Sequence, residues 1–262
     1  MMLEGKVALV SGLGPGMGRD ITLALAREGA DIVMAARREK RMNKVAEEVE
    51  GLGRRALCVT TDVTDQAACT ALADAVRTEH GRLDVLVNNA FSTGPVGPLA
   101  TADLDTWRDP FEVNVFGTLR LTQAVLPLLT EQDESRIVMI NTMSTERIQA
   151  KFGSYAASKS ALKGVTKTLA RELGPMGIRV NAIHPGYIWG DSVEWYFNFQ
   201  AEKRGITFQE VYDEVAEETC LGYLPSSEEI AGSVVFFASP LSRGVTGQAL
   251  AVNGGIYLGG TA

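Results

Sequence analysis

Histidine and cysteine are scarce in this chain of 262 residues, with two of the former and three of the latter. Cys58, Cys69 and Cys220 lack the paired spacing of a metal site, and an odd, dispersed set argues against a disulfide framework. No metal is expected, and a reducing cytoplasm is the expected compartment. Basic residues are in deficit, 25 against 32 acidic, for a formal net charge of −7, which weighs against a general role on nucleic acid or an acidic membrane surface. No apolar run approaches the roughly 20 residues a membrane span requires, and Met1 to Lys6 carries no long apolar targeting core. Internal repeats and low-complexity linkers are missing as well. What is present, 45% hydrophobic residues, suffices for a well-buried core in one domain spanning 1–262.

The chain is organised around Lys6 to Gly18, KVALVSGLGPGMG. Val7 to Val10 form the unbroken apolar run of a parallel strand buried on both faces. Gly12, Gly14, Gly16 and Gly18 follow, then an amphipathic helix from Asp20 to Arg27. Strand, glycine turn and helix N-terminus make an anion site, because bare backbone approaches a pyrophosphate that faces unpaired N–H groups and the positive helix end. A dinucleotide is the expected guest, although Gly12, Gly16 and Gly18 give G-x-x-x-G-x-G in place of G-x-G-x-x-G.

Strands are expected at Asp31–Ala35, Arg55–Thr61, Asp84–Val87, Arg136–Asn141, Ile178–Ile183 and Gln248–Val252, with helices between them. One long helix is expected from about Asp105 to Leu129 with Asn114 in its middle. This pattern predicts an α/β, doubly wound, Rossmann-like fold: a seven-stranded, mostly parallel sheet with helices on both faces. The turn Gly12 to Gly18, Asn88 to Ala90, Thr142, Pro185 and Gly186 all follow strand ends, so the fold gathers them at one edge. Arg37 follows the second strand, where an arginine accepts a ribose 2′-phosphate and an acid would bind the 2′-OH; Ala36 is not acidic. The alternative for Arg37 is a solvated basic run opening the next helix. Asp62, past the third strand, is either a ligand contact or a helix N-cap, and Asn88 and Asn89 can brace strands and loops through their amides. Tyr155 and Lys159, four apart, project from one helix face. From Asp191 to Tyr223 the alternation stops in a long, aromatic segment with Trp195, Tyr196, Phe197 and Phe199, expected to be a substrate lid, the alternative being a subunit contact. His184 lies at a strand end with no partner acid or nucleophile nearby in sequence, and is expected not to act as a base.

In order and spacing, the glycine turn, Asn88-Asn89-Ala90, Asn114, Tyr155-x-x-x-Lys159 and Pro185-Gly186 resemble the short-chain dehydrogenase/reductase family, from about Gly5 to Tyr257. The chain departs from that pattern at Ser11, where the family usually has Thr; at Phe91, where it has Gly; and at Gly190, where a Thr is usual and Ser192 is a possible substitute. The resemblance implies an NAD(P)-dependent oxidoreductase interconverting a secondary alcohol and a ketone. Tyr155 is then the general acid/base, with Lys159 and an oxidised nicotinamide lowering its pKa, and Asn114 holds a relay water. The hydroxyl partner is Thr142, thirteen before the tyrosine, or Ser144, eleven before it; position favours Thr142 and residue type Ser144. Cofactor contacts fall on Gly12, Gly14, Gly16, Met17, Gly18, Arg37, Asp62, Val63, Asn89, Ala90, Tyr155, Lys159, Pro185, Gly186 and Ile188. Arg37 and the missing acid at Ala36 favour NADP, with NAD the alternative. The expected partners are a largely apolar small alcohol or ketone and further copies of the chain in a homotetramer, with no nucleic acid and no membrane. The rival function is a non-catalytic NAD(P)-binding sensor or scaffold.

Overall fold

A computed structural model describes residues 1–14 and 16–258; the side chains of residues 191 and 192 lie outside that description. Strand β1 (Val7–Ser11) leads through the glycine turn to α1 (Met17–Arg27), then β2 (Asp31–Ala36), α2 (Glu39–Gly51), β3 (Ala56–Thr60), α3 (Gln66–His80) and β4 (Val85–Asn88). After β4 come α4 (Arg108–Phe111), a π-helical stretch (Glu112–Gly117), α5 (Thr118–Thr130), β5 (Ser135–Ile140), α6 (Gly153–Leu173) and β6 (Ile178–Pro185). The chain continues through α7 (Asp191–Arg204), α8 (Phe208–Glu217), α9 (Ser227–Ala238) and β7 (Ala249–Val252).

The seven strands form one sheet in the order β3-β2-β1-β4-β5-β6-β7, every pairing parallel. Strand order reverses between β1 and β4, so the turns after these two strands flank the crevice where α/β sheets bind ligands. The five inner strands β2, β1, β4, β5 and β6 are buried on both faces, whereas the edge strands β3 and β7 are half-buried or exposed; inner side chains alternate between two cores. Val138 and Ile140 of β5 join Ile21, Leu25 and Val234 on one face; Ile137 and Met139 join Leu72, Leu121 and Leu162 on the other.

Two expectations are corrected. The single helix from Asp105 to Leu129 is interrupted: 3-10 turns and the short α4 precede the π stretch, and only α5 is a regular helix. A π turn inserts one residue into the ladder and is common at functional sites; apolar spacing alone cannot reveal it. The segment 191–223 is not a long loop but contains two helices with a core of their own, Phe197, Ala201, Val211 and Leu224. Its aromatics divide by side. Phe197 is fully buried, while Trp195 and Phe199 stack outward at a centroid distance of 5.9 Å. Helix α8 opens with a reciprocal capping box between Thr207 and Glu210, which satisfies two helix-end donors at once.

Candidate active site

The glycine turn combines two demands. A Cβ on Gly12, whose φ is +79°, would lie 2.5 Å from the Ala90 Cα, and one on Gly18 would lie 2.5 Å from the Gly12 carbonyl oxygen. These two glycines permit backbone to pack on backbone. Gly14 and Gly16 have nothing within 4 Å of the same position; they keep open ground in front of α1. Gly16 is the N-cap of α1 and makes no side-chain capping bond, so the first-turn N–H groups are available to an anion. Met17 is half-buried against the core. Asn89 donates from Nδ2 to the Gly12 carbonyl at 2.6 Å, while Ser11 Oγ accepts from the Asn89 and Ala90 N–H groups at 3.1 and 3.3 Å. Asn88 donates to Thr122 Oγ1 at 3.2 Å and faces the core.

A cavity of about 440 Å³ begins at this turn and is lined by Gly12, Gly14, Arg37, Arg38, Asp62, Val63, Asn89 and Ala90. Arg41 joins the same wall. It was not among the expected contacts, yet it stands in the first turn of α2, directly after the extended Arg38. Three exposed guanidinium groups beside open glycine backbone suit a phosphorylated dinucleotide, so the residues present fit a nicotinamide cofactor. The Asp62 carboxylate is engaged within its own turn, accepting from Thr64 N and Oγ1 at 3.0 and 2.8 Å. Burial works to raise its pKa, but those bonds and the charge of Arg37 outweigh it and hold the carboxyl below its usual range. Val63 turns its side chain into the core.

Tyr155 and Lys159 lie on α6 and Thr142 just past β5. The Thr142 side chain acts on the Tyr155 phenol, working to lower its pKa. Ser144 contacts Thr142 instead, accepting from Oγ1 at 3.3 Å, while its N–H donates to the same Thr142 oxygen at 3.2 Å. Of the two candidates, Thr142 is the one that acts on the phenol. The expected lowering of the Tyr155 pKa is not found in the protein alone. Burial raises it, and the Thr142 bond only partly opposes this. Lys159 is itself buried, donates to the Ile140 carbonyl at 2.7 Å, and has its pKa pulled down to about 7 by desolvation. An amine that has lost much of its charge cannot stabilise a phenolate strongly.

Asn114 is fully buried in the π stretch. Its Oδ1 accepts from Ser92 N at 2.8 Å, and its Nδ2 donates to the Ser92 carbonyl at 2.8 Å and to Ser158 Oγ at 2.9 Å. Ser158 Oγ donates in turn to the Tyr155 carbonyl at 2.9 Å. The amide therefore ties the loop after β4 to the helix bearing Tyr155, and makes no hydrogen bond to Lys159. Ser92 and Ser158 were not anticipated; Ser158, three after Tyr155, was the readable signal.

Pro185 ends β6, and a Cβ on Gly186 would lie 2.7 Å from the Asn253 Cβ. Ile188 packs against the core. Gly190 is exposed and has no hydroxyl to offer, and the Ser192 side chain lies outside the described residues. His184 is buried, with Nδ1 3.5 Å from Thr145 Oγ1; burial, aided by the Lys163 charge, pushes its pKa down to about 4. It is neutral at neutral pH. Among the described residues no group of three or more His, Cys, Asp or Glu could hold a metal ion, and no helix is long and apolar enough to cross a membrane.

Comparison with known proteins supplies a frame for these groups. The family profile described as Enoyl-(Acyl carrier protein) reductase matches residues 12–257. The 7alpha-hydroxysteroid dehydrogenase of Escherichia coli (strain K12) is 32% identical over 97% of this chain and 95% of its own length. L-sorbose reductase from Gluconobacter frateurii, solved with NADPH and L-sorbose, superposes with a TM-score of 0.92 at 30% identity over 99% of this chain and 100% of that one. NAD+-bound xylitol dehydrogenase superposes with a TM-score of 0.90 at 30% identity over 97% and 100%.

Proposed function

This chain belongs to the short-chain dehydrogenase/reductase family, and on that premise we propose that it interconverts a secondary alcohol and a ketone, with NADP preferred over NAD. Its relatives make it an NAD(P)-dependent oxidoreductase; the reaction, the cofactor preference and the residue roles are our reading. The observation that carries it is the placement of Tyr155 and Lys159 one helical turn apart on α6, with Thr142, just past β5, acting on the Tyr155 phenol.

Gly12, Gly14, Gly16, Met17 and Gly18 would hold the pyrophosphate, and Arg37, with Arg38 and Arg41 beside it, the 2′-phosphate. Asp62, Val63, Asn89 and Ala90 would serve the adenosine and ribose, and Pro185, Gly186 and Ile188 the carboxamide. When bound, the nicotinamide supplies the hydride or accepts it. Thr142 donates a hydrogen bond to the substrate oxygen, stabilising the charge that develops there. Tyr155 passes its phenolic proton to that oxygen during reduction and takes it back during oxidation. Burial keeps the phenol protonated in the free protein, the form reduction needs. Lys159, titrating near 7, is poised to return a proton to the phenol. Asn114 keeps its place in the relay, with its amide already committed to Ser92 and Ser158.

The segment 191–223 acts as the lid over a largely apolar substrate, and the protein works in the cytoplasm. It assembles as a homotetramer through the helices near Asn114 and Tyr155, where Phe116 stands half exposed; a monomeric mass at micromolar concentration would contradict this.

Tyr155→Phe deletes the proton and keeps the ring. The expected loss of turnover is at least about 10²-fold, the scale of general acid–base catalysis, with NADP affinity within a few-fold of the parent. Turnover of a ketone panel, followed by nicotinamide absorbance, checks this. Near-parent activity in the variant would end the assignment. Absence of turnover across the panel, with NADP still bound, would favour the sensor or scaffold.

A further inference from the structure

Phe91 occupies a position its surroundings define closely. The residue before it, Ala90, has its N–H held by Ser11 Oγ at 3.3 Å. The residue after it, Ser92, has both backbone groups held by the Asn114 amide at 2.8 Å, and its hydroxyl donates to Asp109 Oδ2 at 2.5 Å. The backbone is therefore clamped on both sides. Between the clamps the phenyl ring is 56% exposed, with its centroid 6.4 Å from that of Tyr155 and the planes at 60°. This is a tilted aromatic contact that leaves the outer face of Phe91 free. The ring also borders the cavity that begins at the glycine turn. Isolated exposed apolar residues are ordinary at a protein surface; one carried on a clamped backbone against the proposed proton donor is a prepared contact surface.

We propose that Phe91 is a specificity-determining residue, a fixed aromatic platform that selects ketones and alcohols bearing a flat ring beside the reacting carbon. The inference rests on the assignment of Tyr155 as general acid/base. A carbonyl oxygen within hydrogen-bond reach of the Tyr155 hydroxyl, about 3 Å, carries its substituents within a few bond lengths of that oxygen. The Phe91 ring is adjacent to the Tyr155 ring, so a planar substituent directed to that side covers the exposed phenyl face. Burying it adds apolar area and ring stacking. A short acyclic substituent covers little of it. Because the backbone that carries the ring is already held, the contact adds no backbone ordering on binding. The family's glycine at this position has no side chain to offer, so the selection is a property of this chain.

The test compares acetophenone and 2-tetralone with butanone and 2-pentanone in the parent, Phe91→Gly and Phe91→Tyr. The parent is expected to favour the ring ketones by about tenfold or more in kcat/KM, the scale of a lost apolar contact. Phe91→Gly should bring that ratio within about threefold of unity, mainly through KM, and Phe91→Tyr should retain it. The acyclic ketones serve as internal controls for folding, and their kcat should stay within about twofold. NADPH affinity, read by fluorescence titration, should not move. An unchanged ring-to-acyclic ratio in Phe91→Gly overturns the inference, as does a parent that prefers acyclic ketones. A loss of NADPH affinity that lowers all four substrates together also overturns it and assigns Phe91 to the cofactor. Failure of the underlying chemistry is distinct: Tyr155→Phe would then turn over these ketones at the parent rate.

Discussion

At the cofactor end, the site is a set of turns hung on the carboxyl edge of a seven-stranded sheet, whereas the segment from α7 to α8 carries a small core centred on Phe197. The first region has little freedom. Gly12 cannot accept a Cβ without meeting Ala90, and Asn89 and Ser11 join the two turns by hydrogen bonds. The second is held by apolar packing and by the Arg147–Glu218 contact to the loop after β5, while Tyr187, packed on the same core, accepts from Gln149 of that loop. A sheet edge demands particular residues at particular positions; a small apolar core demands only volume. One region is therefore suited to an invariant ligand and the other to a variable one.

Phe197→Ala should break this contrast most directly. It empties the centre of the small core and is expected to cost about 3–5 kcal/mol, seen as faster hydrogen exchange across α7 and α8 with NADP affinity retained. Exchange rising equally in β1 and β4 would mean that the two regions unfold as one. Acid then probes the sheet side. The unfolded chain protonates His184 near its ordinary 6.5 and the folded chain resists to about 4, so stability is full above 6.5 and falls as pH drops from 6.5 towards 4. The difference amounts to at most about 3 kcal/mol. His184→Gln, which cannot charge, should flatten that loss in urea melts at pH 7 and 4.5.

Thr142→Val keeps the shape and deletes the hydroxyl, and is expected to lower kcat by about 10²-fold, as removal of an oxyanion donor does. Ser144→Ala should cost much less; the reverse ranking would move the role to Ser144. The smallest effect expected is at the open end of the cavity. Arg37→Ala should lower kcat/KM for NADP by about tenfold with NAD little changed, because an exposed charge contributes modestly and Arg38 and Arg41 remain beside it. Equal weakening of both cofactors would remove the phosphate contact from the account.

The same contrast explains what was legible before the structure. Buried parallel strands appear as apolar runs, and Gly12 and Asn89 mark backbone that must come close, so the sheet and its turns could be placed along the chain. The 191–223 segment hid its helices because Trp195 and Phe199 face outward while Phe197 faces inward, which blurs the helical period. The capping pair Thr207 and Glu210 was the readable sign. Arg41 was missed because the expected contact stopped at Arg37, whereas the helix beginning at Glu39 brings Arg41 to the same wall. The ionisation of Tyr155 and Lys159 was beyond reach, since it depends on burial that residue spacing does not report. Asn114 was recognisable as a buried amide needing partners, but not as the bridge from Ser92 to Ser158.

Ser11 carries a consequence for recombination. Its single oxygen accepts two N–H groups from the turn after β4, 78 and 79 residues further along the chain, while the Asn89 amide reaches back to Gly12. A chimera with a crossover between the first and fourth strands would take these two turns from different parents and leave their mutual contacts unmatched. Crossovers before β1 or after Ser92 keep the pair together, so the first third of the chain is best exchanged as a single block.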